Sequence, residues 1–222
     1  MKDRKLLNVE LGRLTPEEYR TTRPSSGLAL VLDNVRSAHN VGSAFRTADA
    51  FGVDKVFLGG ICPVPPSPEL HKVALGAEES VPSEHVDDVV DLVHRLQAQG
   101  YTVIAVEQTE HSVKLDELGA DAGVGAYSPT CATLGTIRGR DPMSRASAAI
   151  LGRGREATVG EYAPTPAQRY ALVFGNEVHG VQQEVVDACD FALEIPQKGT
   201  KHSLNVSVSI GVVLWALHLL IQ

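Results

Sequence analysis

Short apolar runs along this chain alternate with segments whose apolar residues recur at helical spacing. Gly27–Asn34 is apolar without a break through Leu28-Ala-Leu-Val-Leu32, which predicts a buried strand. In Asn40–Phe51, Val41, Ala44, Phe45, Ala48 and Phe51 share one face, predicting a helix closed by Gly52. Lys55-Val-Phe-Leu58 predicts a second strand, ended by Gly59-Gly60. Four prolines between Pro63 and Pro68 predict an irregular loop. Val86, Val89, Val90, Val93 and Leu96 form the apolar face of a helix over Val86–Gln99, stopped by Gly100. Tyr101–Val106 and Tyr170–Phe174 predict the third and fourth strands, with a short helix at Val181–Ala188, a fifth strand at Phe191–Ile195 and a closing helix at Leu204–Ile221. This alternation predicts an α/β fold, a mainly parallel sheet with helices on both faces.

One stretch breaks the alternation. Residues 121–168 are rich in Gly, Ala, Ser, Thr and Arg and hold no sustained period, so they read as a flexible insertion. The predicted organisation is a short N-terminal extension over 1–26 and one domain over 27–222 that carries this insertion. No separate domain is expected before Gly27, and no tail after the last helix. No internal repeat is evident.

Composition narrows the class. The chain has 222 residues, 43% hydrophobic and 21% charged, as in ordinary globular proteins. Cys62, Cys131 and Cys189 have no paired spacing, which fits a reducing cytoplasm and argues against a disulfide framework or a zinc site. The first residues lack an apolar signal core. The apolar run Val206–Ile221 is interrupted by Ser207, Ser209, Gly211 and His218 and is shorter than the roughly 20 residues of a membrane span. The formal net charge of -7 taken alone argues against a nucleic-acid binder. Positive charge is nevertheless concentrated: residues 1–25 balance to +2 and residues 126–169, with six arginines, to +3.

Three segments place polar residues just past predicted strands, where open α/β sheets build their sites. The first is Asn40-Val-Gly-Ser-Ala-Phe-Arg46. Asn40 suits a helix N-cap, Gly42 permits close approach of another backbone, and Arg46 among small residues needs an anionic partner. That partner is either Asp49 or Glu177, or else a ligand phosphate or carboxylate. The second is Phe174-Gly-Asn-Glu-Val-His-Gly180, in which Gly175 would let a ligand near the backbone. It matches neither a Walker loop nor a dinucleotide fingerprint. The third runs from Ile195-Pro196 through Gly199 to Ser203-Leu-Asn-Val-Ser207. Ser203 suits an N-cap, whereas Asn205 and Ser207 would fall inside an apolar helix and need partners.

Together these segments closely resemble the SpoU (TrmH-like) branch of the SPOUT RNA methyltransferases. The pattern Asn-x-Gly-x-x-x-Arg is Asn40, Gly42 and Arg46; Phe/Leu-Gly-x-Glu-x-x-Gly is Phe174, Gly175, Glu177 and Gly180; Ile-Pro with Ser-Leu-Asn-Val-Ser is Ile195, Pro196 and Ser203–Ser207. The resemblance implies a C-terminal trefoil knot, a homodimer, S-adenosylmethionine as methyl donor, and methylation of a ribose 2′-hydroxyl in tRNA or rRNA, with no DNA or membrane partner. It implies catalytic or positioning roles for Arg46, Asn40, Glu177, Ser203 and Asn205. Gly175, Ile195 and Leu204 would line the donor pocket, with Thr109 as a weaker candidate. A guanidinium resists deprotonation, so Arg46 would position the hydroxyl and its neighbouring phosphate rather than act as a simple base. No metal is required, and His39, His71, His179 and His202 read as polar loop residues. Two alternatives stay open: a non-catalytic RNA-binding or assembly module that retains the fold, and a different α/β enzyme using another nucleotide.

Overall fold

A computed structural model describes residues 4–7, 10, 12, 14–22, 24–118, 168–200 and 203–221. The expected insertion at 121–168 lies almost wholly outside them; Gln168 alone is described, as exposed coil. The sheet strands are β1 (Leu28–Asp33), β2 (Lys55–Gly59), β3 (Ser83–Val86), β4 (Tyr101–Val106), β5 (Val113–Lys114), β6 (Arg169–Phe174) and β7 (Phe191–Glu194). The helices are α1 (Pro16–Thr22), α2 (Ala38–Ala50), α3 (Pro68–Ala74), α4 (Ala77–Ser80), α5 (Val89–Ala98), α6 (Gln183–Ala188) and α7 (Val206–Ile221). The strand order is β3-β2-β1-β6-β4-β7-β5, and every pairing is parallel.

The period-2 alternation of β1 divides the core in two. Leu28, Leu30 and Leu32 pack with Phe45 of α2 and with Ile210, Val213, Leu214 and Leu217 of α7. Ala29 and Val31 face the other way, onto Leu92, Val93 and Leu96 of α5 and Val185 of α6. All six β1 residues are buried, which explains a strand read as a continuous apolar run rather than an alternating one. Gly42 does what its position suggests: a Cβ there would lie 2.7 Å from the Leu70 carbonyl oxygen and 2.9 Å from Val73 Cβ, so its absence lets α2 pack tightly on α3.

The structure corrects several boundaries. Five strands are expected, and seven form among the described residues. β3 alternates exposed and half-buried positions at the sheet edge, and β5 has two residues, so neither has an apolar run to announce it. Val86 ends β3, paired with Gly59, instead of opening the following helix. α5 starts at Val89 because the Asp88 carboxylate accepts from the backbone N–H groups of Val90 (2.8 Å) and Asp91 (3.1 Å). The proline loop ends at Ser67, which caps α3, with Pro68 in its first turn. Thr15 and Glu18 form a reciprocal capping box that starts α1: Glu18 accepts from the Thr15 N–H at 2.9 Å, and the Thr15 hydroxyl accepts from the Glu18 N–H at 3.3 Å. His39 and His71 lie in α2 and α3 rather than in loops, and His202 falls outside the described residues. Among the described residues, no helix is long and apolar enough to cross a membrane.

Candidate active site at the carboxyl ends of the strands

Beyond the carboxyl ends of β4, β6 and β7 lies a cleft of about 290 Å³. Val106 and Glu107 line it after β4, Gly175 and Glu177 after β6, and Ile195, Ser203 and Leu204 after β7. A parallel sheet leaves its ligand crevice at this end, because successive loops diverge there.

The loop after β6 is built by its own backbone. Asn176 and Gly180 exchange two backbone hydrogen bonds of 2.9 Å. The Asn176 side chain accepts from the Val178 N–H (2.8 Å) and the His179 N–H (3.3 Å) and donates to the Asn34 carbonyl (2.7 Å). Gly175 is required here for a different reason from the one its sequence context suggests. A Cβ would lie 2.0 Å from both Gly180 C and Val181 N, so the close approach is by the loop itself rather than by a ligand. Glu107 closes the far side: its carboxylate accepts from the Val181 N–H at 3.0 Å and the Gln108 N–H at 2.8 Å. Beneath the loop, the fully buried Asp33 accepts from the Gln182 N–H (2.9 Å) and the Asn34 amide (2.8 Å). Burial pushes the Asp33 carboxyl up, and these two bonds partly offset the rise.

A line of polar contacts joins all three sequence segments. The Asn40 amide donates to Glu177 Oε1 at 2.9 Å, and its Oδ1 accepts from the Asn205 amide at 3.2 Å. Glu177 also accepts from the backbone N–H groups of Arg36 (3.2 Å) and Ser37 (3.1 Å), so its carboxylate sits at the N-terminal end of α2. Desolvation raises the Glu177 carboxyl, but Asn40 and the surrounding backbone N–H groups outweigh it and hold the group below the ordinary carboxylate range. A carboxyl lowered in the folded state contributes stability above its unfolded value, and this is lost as pH falls through the folded value. The stability gap between the protein and Glu177→Gln is therefore expected to be widest near neutral pH and to close on acidification. Urea unfolding across a pH series measures it, and a gap independent of pH would disconnect these bonds from the charge.

The structure brings most of the sequence-derived residues together and rearranges their tasks. Asn40 is not the cap of α2; Ser37 is, accepting from the Asn40 N–H at 3.2 Å, which frees the Asn40 side chain to bridge. Ser203 is not the cap of α7. That helix begins at Val206, and Asn205 Oδ1 accepts from the Ser207 N–H (2.9 Å) and hydroxyl (2.6 Å), so Asn205 and Ser207 satisfy each other at the helix start rather than in its interior. Thr109 is outside the cleft lining; its carbonyl accepts from the Ser112 N–H at 3.3 Å. Arg46 stands apart. Six residues beyond Asn40, it is displaced by ~9 Å along α2 and turned to another side of it. It lines a separate hollow with Tyr19, Asp49, Leu75 and Ser80, and makes no ion pair with Glu177 or Asp49 among the described residues. Sequence reasoning missed Glu107 and Asn176, although Glu107 directly follows a predicted strand and Asn176 lies within the second segment.

Fold and cleft together define an α/β protein with a composite polar site at the carboxyl ends of a parallel sheet, built without a phosphate-binding loop. The model of the SpoU rRNA Methylase family matches residues 27–215, and the chain belongs to that family. It is 30% identical over 188 residues to the 23S rRNA (guanosine-2'-O-)-methyltransferase RlmB of Nitrosomonas europaea, covering 85% of this chain and 54% of the relative. It is 28% identical over 191 residues to the protein of the same name from Vibrio vulnificus, covering 86% and 58%. The chain thus spans little more than half the length of these relatives. Among solved structures it resembles the A. aeolicus TrmH/SpoU tRNA modifying enzyme (TM-score 0.64, 22% identity, 92% of this chain and 81% of that one). It also resembles the AdoMet-bound rRNA methyltransferase of Sinorhizobium meliloti (TM-score 0.60, 22% identity, 92% and 60%). These likenesses establish the fold.

Proposed function

We propose that this protein transfers a methyl group from S-adenosylmethionine to a ribose 2′-hydroxyl of tRNA or rRNA. The observation that carries the reading is the Glu177–Asn40–Asn205 line of hydrogen bonds, which ties the three motif segments together and reaches the cleft at Glu177. The cleft suits a nucleoside-type donor: its walls combine apolar Val106 and Ile195 with polar Gln197 and Ser203, and its size is near the lower end for small-molecule sites. The donor would supply an electrophilic methyl on a sulfonium. Gly175, Ile195 and Leu204 would form its seat. Asn40, Glu177 and Asn205 would fix the geometry of the mouth, where alignment of the reacting atoms supplies much of the acceleration. Glu177 already accepts three hydrogen bonds, which fits a positioning role better than that of a free base.

The separation of Arg46 from the cleft supports a homodimer whose sites are completed by the second subunit. Val208, Val212, Trp215 and Leu219 form an exposed apolar stripe along α7, with Trp215 55% exposed. A stripe of this kind is the usual footprint of an interface. The C-terminal knot belongs to the same reading. It is supported by the insertion of β6 between β1 and β4, and by the return of the chain from β7 to Asn40 at Asn205. The free thiols of Cys62 and Cys189 accord with a cytoplasmic location.

Incubation with methyl-labelled donor and either total tRNA or rRNA tests the function. Label is expected in 2′-O-methylated nucleotides after nuclease digestion. Donor binding by calorimetry without incorporation into either pool would overturn the assignment, and absence of donor binding as well would favour an RNA-binding module.

A further inference from the structure

We propose that His71, Glu78 and Glu79 form a site for a divalent first-row transition-metal ion of the zinc or manganese kind, away from the cleft. His71 comes from α3, while Glu78 and Glu79 open α4, and one ligand atom from each lies within 4.8 Å of the other two. The Glu78 side chain is only 8% exposed, although it is a carboxylate. Its Oε1 lies 2.5 Å from His71 Nδ1, while its buried Oε2 has no hydrogen-bond partner among the described residues. A carboxylate oxygen withdrawn from water without a donor is costly. The contact with His71 satisfies Oε1 and leaves Oε2 bare, whereas a dication held between the two carboxylates and the imidazole balances both negative charges. Mixed imidazole and carboxylate donors suit zinc, manganese and related ions, while calcium and magnesium favour oxygen-only shells.

The site spans a junction that needs fixing. Between α3 and α4, Leu75 (φ 54°) and Gly76 (φ 90°) both adopt left-handed backbone, an unfavourable conformation for leucine. His71 lies before this turn and the two glutamates follow it, so a shared ion would fasten its two arms. Leu75 and Gly76 also form part of the wall of the hollow that holds Arg46, so an ion here would stiffen that wall. The inference stands independently of the methyl-transfer reading.

The test uses metal-free full-length protein titrated with Zn(II) against a chromophoric chelator, with thermal unfolding in parallel. One saturable zinc ion per chain is expected, with a rise in Tm on binding. His71→Gln and Glu79→Gln, both at exposed positions, are expected to keep the far-ultraviolet circular dichroism of the parent. Each should weaken zinc binding at least about tenfold and remove the thermal shift. His179→Gln, in the cleft loop, should leave zinc binding unchanged. Absence of saturable binding by the parent, or undiminished binding by either the His71 or the Glu79 variant, would overturn the site.

Discussion

Alanine at Arg46 is expected to lower methyl transfer by about two to three orders of magnitude while leaving donor affinity unchanged. Arg46 projects from α2 on a side turned from Asn40, is exposed, and has no ion-pair partner among the described residues, so its removal breaks no ion pair among them. The donor cleft is formed by other elements of the same chain. If Arg46 serves the cleft of the second subunit, the defect can be complemented. Mixing Arg46→Ala chains with chains disabled in the cleft should restore roughly a quarter of the parental activity, because half of the random dimers carry one intact composite site. Trp215→Asp, placed in the exposed stripe of α7, should give monomers in sedimentation analysis and lose transfer in parallel. Full activity in a demonstrated monomer would refute the shared site, and an active Arg46→Ala protein would remove Arg46 from the chemistry.

The second large effect is expected at Gly175. Alanine there would place its Cβ against backbone atoms of Gly180 and Val181, which have no side-chain freedom with which to yield. The loop can accept the methyl group only by breaking the paired Asn176–Gly180 bonds or the Glu107–Val181 contact. A cost of about 3 kcal/mol is expected, at the upper end for overpacking. Donor binding should fall with it, since the same loop walls the cleft. Leu96→Ala supplies the control: it opens a cavity under α5 at a cost of about 2–5 kcal/mol without touching the cleft. It should lower Tm and leave donor affinity intact at temperatures where the protein is folded. Equal losses of affinity in the two variants would mean that global stability, rather than the shape of the loop, governs binding. A Gly175→Ala protein with parental stability would contradict the packing itself.

Legibility from sequence followed burial. The central strands β1, β4 and β6 are clad in helices on both sides or lie deep in the sheet, so their apolar runs were plain, and so were the helical faces of α2 and α5. The edge strands β3 and β5 escaped notice because half their residues face water and nothing in their composition marks them. Helix starts differ from those that hydrophobic spacing predicts because the caps decide them: Ser37 lies before the predicted start of α2, whereas Asp88 and Asn205 lie inside the helices predicted over Val86–Gln99 and Leu204–Ile221. The candidate site was largely legible as three segments, because polar residues after strand ends have few other reasons to be there. Their mutual distances were not.

By itself, then, the sequence determined the class of fold, the family resemblance and the set of polar residues gathered at the carboxyl end of the sheet. Those features depend on local periodicity and on residue types that only certain positions tolerate. The tertiary structure alone decided which of these residues meet. Asn40, Glu177 and Asn205 are distant in the chain and converge because β6 inserts beside β1 and the chain after β7 returns to the start of α2. Arg46, six residues from Asn40 in the same motif, is carried away from them by the helical turn between the two, which no reading of the motif as a string of letters could reveal.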